Sequence, residues 1–458
     1  MTQKAQIFYH DIGDYLTREQ KLEIVKEFGS IKNVPWQILS PNEHGDWISQ
    51  RNSTFETFIP LAPERKFDVD SKSFFIAYSL GIATNKDPWL YNFSIKNLKN
   101  HLETMISFYN EQRDKFHSQR KNKNAKDFVE YNISKINWTD MFLNDLENNI
   151  KYNIDKNKFC DAIYRPFTKQ KFCYEKQFLQ RTYQQTKIFP TKEYKNLVIC
   201  TTGIGVNKDF SVLITDVVPD LQVQANGQCF PLYYYTKKEN KNQAQGEFFE
   251  KEAEYTRQNG VSDFIFSQAK ERYGNKITRE DIFYYVYGIL HSPSYRKTFA
   301  NDLKKMLPRL PLVENAEDFM AFSKAGRKLA ELHLNYEDAE PYQNLTITVE
   351  ENKDYKVNQM RFPQKGKKDT IIYNDKITIS NIPLKAYEYI VNGKSAVEWV
   401  MERYAITTHK DSGIRNNPND WAVEHNKPRY ILDLLLSVIA VSIETVDIVE
   451  GLPAVEWG

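Results

Sequence analysis

Tyr164-Arg-Pro-Phe-Thr-Lys-Gln-Lys-Phe-Cys-Tyr174, continuing to Lys195, is the stretch on which the reading of this chain turns. Before it, apolar residues recur at helical spacing. From Ala162 onward they fall into short alternating runs, which is how strands read. The expected fold is therefore α+β: a helical N-terminal third followed by a mixed strand and helix body. The same stretch holds eight cations (Arg165, Lys169, Lys171, Lys176, Arg181, Lys187, Lys192, Lys195) against Glu175 and Glu193, interleaved with eight aromatic residues. A nucleic-acid groove has this composition, because cations neutralise phosphates and rings supply rigid contact area or stacking. A β-meander with its rings in the core and its lysines in water has it too, since strands favour aromatics.

Toward the N-terminus, Thr17 followed by Gln20 reads as a capping box, with Leu22, Val25 and Phe28 on one helical face and Gly29 as a stop. Ile95 to about Lys121 reads as a long helix, with Leu98, Leu102, Met105 and Tyr109 at helical spacing. Its far end is basic (Arg113, Lys115, Arg120, Lys121, Lys123 and Lys126), which fits a solvated helix end. Trp138 to Ile150 reads as another helix. Toward the C-terminus, strands are expected at 162–167, 171–175, 196–201, 210–215 and 229–235, then an exposed Lys/Asn/Gln-rich loop at 236–246. Helices follow at 247–257, 261–271, 278–290, 292–306 and 316–333. Strands return at 345–349 and 376–379, and helices close the chain at about 394–404 and 429–449. The last is apolar nearly all round, so it belongs inside the body.

The totals limit the possible functions. With 458 residues, roughly two or three domains are expected. Charged residues make up 27% with a net charge of only +2, which excludes a polycation and a disordered chain; any nucleic-acid surface must be a local patch. No apolar leader is visible, and the longest apolar run, Tyr430 to Ile443, contains Asp433 and is too short to span a bilayer. Cys160, Cys173, Cys200 and Cys229 lack zinc spacing and read as buried thiols of a cytoplasmic protein, with no metal expected.

Catalytic motifs are incomplete. Gly203-Ile-Gly205 follows an apolar strand but lacks a third glycine and a following helix. Gly393-Lys394-Ser395 mimics the end of a phosphate loop, but Glu388 stands where that motif needs glycine. Asn417-Pro418-Asn419-Asp420-Trp421 departs from the Asn-Pro-Pro-Tyr motif of amino-methyltransferases. Pro219-Asp220 begins a nuclease motif that does not continue. His10, His44, His291 and His333 occur singly and read as structural histidines. No residue is assigned a catalytic role, and the chain reads as a binder.

Several stretches together resemble the C-terminal part of type ISP restriction–modification enzymes. They include Tyr9-His-Asp-Ile-Gly-Asp-Tyr-Leu-Thr-Arg-Glu19, His44-Gly-Asp-Trp-Ile-Ser-Gln-Arg-Asn52, Gly81-Ile-Ala-Thr-Asn-Lys-Asp-Pro-Trp-Leu-Tyr-Asn92 and Tyr164-Arg-Pro-Phe-Thr-Lys169. Tyr287-Gly-Ile-Leu-His-Ser-Pro-Ser-Tyr-Arg296, Asp302-Leu-Lys-Lys-Met-Leu-Pro-Arg-Leu-Pro311, Leu329-Ala-Glu-Leu-His333, Val391-Asn-Gly-Lys-Ser395 and Asp411-Ser-Gly-Ile414 match in the same order. Such enzymes join nuclease, helicase-type ATPase, adenine methyltransferase and target-recognition regions in one polypeptide. The resemblance implies a connecting region at 1–152, like the end of the methyltransferase part, and a target-recognition domain at 153–458. It places the methyltransferase core, ATPase and nuclease upstream of residue 1. S-adenosylmethionine, ATP and magnesium are thus implied for those regions and none is expected in this chain, which is a fragment or a separately encoded subunit.

The expected function is recognition of double-stranded DNA that positions a methyltransferase and a linked helicase and nuclease, in cis or in trans. The expected contacts are Arg165, Lys169, Lys171, Arg181, Arg296, Lys304 and Lys305, with Thr84-Asn85-Lys86 as a further group. Two rivals stay open: a divergent complete methyltransferase or nuclease, and a protein-interaction scaffold, favoured by the C-terminal 430–458 stretch with five acids and no Lys or Arg.

Overall fold

The computed structural model describes residues 5–119, 124–238, 254–350 and 354–457. The architecture is mixed α+β, with helices around several small sheets rather than one large one. The long helix runs Ile95–Ser118 and is capped by the Ser94 side chain, which accepts from the Asn97 N–H. Its apolar stripe (Leu98, Leu102, Met105, Tyr109, Phe116) is buried against the helix Asp140–Glu147 and against Tyr152 and Phe178. Tyr109 and Tyr152 stack at 4.0 Å, and the Tyr109 hydroxyl donates to the Ile150 carbonyl at 3.0 Å. Of the basic far end, Arg120, Lys121 and Lys123 lie outside the described residues.

Two four-stranded sheets form the middle of the chain. One is ordered 218–219, Phe159–Arg165, Thr168–Cys173, Tyr91–Asn92; the other is 79–80, Gln228–Pro231, Val198–Thr201, Val212–Thr215. Val198–Thr201 and Val212–Thr215 are buried along their whole length, which explains why they read as continuous apolar runs. The hairpin Phe159–Arg165/Thr168–Cys173 turns at Pro166-Phe167, where Phe167 has φ +55° and is fully buried. One apolar core takes residues from both sides of position 152: Leu98, Phe142, Phe159 and Phe172 belong to it together.

The helices Arg279–Ile289 and Ala316–Leu334 cross so closely that Gly288 and Gly326 face backbone directly. A second body of apolar residues gathers the three-stranded sheet Thr346–Val349, Ile377–Ser380, Thr370–Ile372 with the helices Ala396–Arg403 and Tyr430–Glu450. Leu435 is fully buried there, as the all-round apolar pattern required. Asp447 and Glu450, at that helix's end, are both held by Lys385.

The structure corrects three expected elements. Residues 255–257 are not helical: Tyr255–Asn259 is a strand paired antiparallel to Tyr233–Lys237, and 247–253 lie outside the described residues, as does much of the 236–246 loop. The expected strand at 229–235 is two strands, Gln228–Pro231 and Tyr233–Lys237, in different sheets. The expected helix at 292–306 is two, Pro293–Thr298 and Ala300–Lys305, broken at Phe299, whose ring is buried against Phe55 and Phe58.

The N-terminal segment differs from the rest. The helix Arg18–Glu27 has the expected capping box, with the Thr17 hydroxyl accepting from the Gln20 N–H and the Gln20 side chain accepting from the Thr17 N–H. The strands Ile7–Tyr9 and Gln37–Leu39 pair beside it. Yet no residue from 5 to 50 is buried. Phe8, Leu22, Val25, Ile31, Trp36, Ile38, Trp47 and Ile48 are exposed.

Candidate nucleic-acid interface

The basic stripe folds into the hairpin Phe159–Arg165/Thr168–Cys173 and the loop that follows it. Strand alternation sends Ala162 and Phe172 inward and leaves Asp161 and Lys171, which are cross-strand partners, on the opposite face. Lys171 Nζ meets Asp161 at 2.7 Å. Beside this pair lies a cavity of about 510 Å³. Lys99 of the long helix, Lys156, Lys171, Lys192 and Lys195 line it together with Phe159, Tyr174, Phe189 and Tyr194. Asp161, Asp216 and the exposed His425 complete its polar lining, so cations outnumber carboxylates. Among the described residues Lys99, Lys156, Lys192 and Lys195 have no ion-pair partner; Lys99 sits 5.5 Å from the Phe159 ring centroid. Burial pushes the Cys160 thiol up to about 12, so it offers no thiolate here.

The other expected contact residues are placed differently. Arg165 is held inside: Nη1 donates to Asp220 Oδ1 at 2.8 Å and to the Tyr164 carbonyl at 2.6 Å, Nη2 lies 3.5 Å from Asp87, and the guanidinium sits 3.9 Å over the Tyr164 ring. Tyr91 donates to the other Asp220 oxygen at 3.2 Å. Burial pushes the Asp220 carboxyl up to about 7, although Arg165 pulls the other way. Lys169 pairs with Glu337 at 3.0 Å. Lys86 is only 2% exposed, lies 4.3 Å from the Phe142 ring centroid and donates to the Phe178 carbonyl at 3.4 Å; burial lowers its pKa to about 8. Thr84 is buried and accepts from the Lys86 N–H, while Asn85 takes φ +52° in the turn.

Arg296 donates from Nε to the Leu290 carbonyl at 2.6 Å, and burial lowers its pKa to about 10. Lys304 pairs with Asp209 at 3.1 Å and Lys305 with Asp46 at 2.8 Å; being on a separate helix from Arg296, they do not share its face. Of the expected group, Lys171 lines the cavity, and Arg181 is exposed with no side-chain partner among the described residues. His291 and His333 are buried, with His333 between the Tyr287 and Thr445 hydroxyls at 2.6 and 2.9 Å. Gly393 lies in a tight turn, Lys394–Ser395 pairs with Ile390–Val391 rather than forming a phosphate loop, and Ser395 and Glu398 form the capping box of the helix that follows.

Lys99, Lys156, Asp216 and His425 escaped the sequence reading. Lys99 follows Leu98 at the edge of the long helix's apolar stripe, a position from which a long side chain reaches a neighbouring surface. The other three come from a short 3-10 turn (Lys156) and two loops that only the tertiary fold brings to one cavity.

The chain matches the family of Type ISP C-terminal specificity domains over residues 73–434, and it belongs to that family. Three solved structures are similar. A nuclease-deletion mutant of the Type ISP restriction–modification enzyme LlaGI, in complex with a DNA substrate mimic, is 36% identical with a TM-score of 0.85, covering 100% of this chain and 40% of that one. The ATP-dependent Type ISP restriction–modification enzyme LlaBIII bound to DNA is 35% identical with a TM-score of 0.86, covering 99% of this chain and 28% of that one. A cryo-electron-microscopy structure of a DrdV–DNA complex is 28% identical with a TM-score of 0.80, covering 98% and 43%. The chain thus spans less than half the length of each. A comparison with curated proteins finds no match. No helix among the described residues is long and apolar enough to cross a membrane.

Proposed function

We propose that this chain recognises a DNA target for a restriction–modification enzyme, and that the cavity face beside the 159–173 hairpin grips the duplex backbone. The observation that carries the reading is the gathering of Lys99, Lys156, Lys192 and Lys195, unpaired among the described residues, around aromatic walls. Cations already neutralised by a carboxylate gain little from a phosphate, whereas an unpaired lysine releases a counterion on contact. Lys171 lines the cavity but is already paired with Asp161, and Arg181, exposed without a side-chain partner among the described residues, is a further candidate contact. Arg165 and Lys86 act through the fold: Arg165 ties the hairpin to Asp220 and Asp87, and Lys86 ties its loop to Phe178. That the LlaGI and LlaBIII structures are DNA complexes supports the reading.

The chemistry lies with partner regions, an adenine methyltransferase and a helicase and nuclease, joined in cis or in trans. The exposed apolar face of residues 5–50 supports this. It includes a groove of about 460 Å³ walled by Ile12, Val25, Phe28, Ile31 and Trp36, and patches of this kind mark interaction sites. Similar chains contain more than half their length beyond the part matched here, which supplies such a partner. S-adenosylmethionine, ATP and magnesium would bind there.

A salt titration of duplex binding tests the reading. Each phosphate neutralised contributes a slope of about −0.9 in log K against log salt, so four or five lysines give roughly −4. Lys192→Ala with Lys195→Ala should make the slope shallower by about 2 and weaken all duplexes alike. A folded chain that binds no duplex at low salt would overturn it.

A further inference from the structure

A duplex backbone passing over a surface needs lysines on that surface, but it does not need a concave pocket between them. The cavity behind the hairpin is about 510 Å³, within the range of roughly 300–1,000 Å³ typical of small-molecule sites. Its walls combine three chemistries. Lys99, Lys192 and Lys195 provide positive charge, Phe159 and Tyr174 provide ring surface, and Asp216 provides a carboxylate. Asp216 lies in the turn between Val212–Thr215 and Val218–Pro219, is exposed, and has no hydrogen-bond or ion-pair partner among the described residues. Its charge acts at a distance on the largely buried Lys169, but no hydrogen bond or ion pair among the described residues occupies its oxygens.

We infer that this cavity is a subsite for one whole nucleotide unit, with the phosphate on the lysines, the base against the rings, and the Watson–Crick edge of the base donating to Asp216. An ionised carboxylate only accepts, so the base must carry N–H donors on that edge. Guanine offers two adjacent donors to one carboxylate, whereas thymine offers a single donor between two acceptors. A base inside a duplex cannot present that edge, so the unit is either an unpaired nucleotide swung out of the strand or a free nucleotide. Stacking on a ring stabilises such a base irrespective of sequence, and the carboxylate supplies the preference among bases. The inference rests on the DNA-binding reading where the unit comes from a strand.

The experiment compares the full chain's affinity for a fully paired duplex, the same duplex with one bulged deoxyguanosine, and the same duplex with one bulged thymidine. Guanosine monophosphate and inorganic phosphate serve as competitors. The guanine bulge should bind at least tenfold tighter than the paired duplex and severalfold tighter than the thymine bulge. Asp216→Asn, in an exposed turn and the same size as the original side chain, should bring the two bulges to equal affinity. Tighter binding of the guanine bulge identifies a strand nucleotide as the occupant. Saturable displacement by guanosine monophosphate but not by phosphate identifies a free nucleotide. Equal affinity for paired and bulged duplexes, with no displacement by guanosine monophosphate, overturns the subsite while leaving duplex binding intact. A gain that ignores the base and survives Asp216→Asn overturns it too, because it reports only the flexibility of bulged DNA. Failure of every duplex to bind would instead strike the DNA-binding reading itself.

Discussion

At the scale of single residues, the Arg165–Asp220 pair shows how a cation that looks like a ligand for phosphate can belong to the protein. Arg165 follows a strand and precedes Pro166, and nothing local announces that Asp220, distant in sequence, lies opposite at 2.8 Å. Asp220 is 4% exposed, so removing Arg165 leaves a buried carboxylate with only the Tyr91 hydroxyl and the Gln222 N–H to stabilise its charge. Arg165→Ala should lower stability by about 3–5 kcal/mol in a denaturant titration, the range for breaking a buried pair; a loss below about 1 kcal/mol would return Arg165 to the surface and to DNA. The pH dependence has a definite sign. Asp220's folded pKa of about 7 lies above its ordinary value of 3.8, so its contribution is fully present below about 4 and is lost as pH rises through about 7. His333 works oppositely: burial lowers it from 6.5 to about 3, so its contribution is present above about 6.5 and is lost as pH falls toward 3. In the wild type the two slopes oppose each other between pH 7 and pH 5. Asp220→Asn deletes one of them, so the melting temperature should fall more on acidification from pH 7 to pH 5 than in the wild type. An unchanged profile would mean that Asp220 is ionised throughout.

At the scale of elements, the crossing of Arg279–Ile289 with Ala316–Leu334 depends on two glycines. A Cβ at Gly326 would stand 1.9 Å from the Tyr284 carbonyl oxygen and 2.7 Å from the Gly288 nitrogen, and one at Gly288 would stand 2.2 Å from the Phe322 carbonyl oxygen. All of these are backbone atoms, so relief requires the helices to part. Gly326→Ala gains helix propensity of about 1 kcal/mol but should still destabilise the chain by about 1–3 kcal/mol net, as overpacking does; thermal unfolding checks it, and a stabilised variant would refute the close crossing. The two helices themselves were legible. Thr278 with Asp281 and Asn315 with Asp318 start them, and their periodicity is local information. The Gly–Gly contact was not legible, because it is a relation between helices. For the same reason 255–257 read as the end of a helix: what makes Tyr255–Asn259 a strand is Tyr233–Lys237 earlier in the chain. Phe299 breaks the expected 292–306 helix because its ring is drawn into the core by Phe55 and Phe58, from the other end of the chain.

At the scale of the whole molecule, composition announced a local basic patch but not which cations compose it. The chain is nearly neutral, and most of the cations marked in the sequence face carboxylates: Lys169 meets Glu337, Lys171 meets Asp161, Lys304 meets Asp209 and Lys305 meets Asp46. Apart from Lys171 and Asp161, which face each other across one hairpin, those partners are far apart in sequence, so pairing could not be read there, and neither could the assembly of Lys99 and Lys156 with Lys192 and Lys195. The N-terminal segment carries the opposite lesson. Its capping box and apolar face were legible, but the partner that covers the face is not within the described residues: from 5 to 50 nothing is buried. A two-stranded ribbon and one helix without a core are marginal in water. Amide exchange is the measurement that follows. In the isolated chain the hydrogen-bonded amides of Ile7–Tyr9, Arg18–Glu27 and Gln37–Leu39 should exchange through local openings costing near zero to a few kcal/mol, far faster than those of Arg279–Ile289 or Tyr430–Glu450. Under the proposed coupling to a methyltransferase region, addition of that region should slow them selectively, with Val25→Asp weakening the protection. If the segment is already protected as strongly as the 279–289 helix in the isolated chain, it is stable without a cover, and residues 5–50 are not the joint through which this chain is coupled to a catalytic partner.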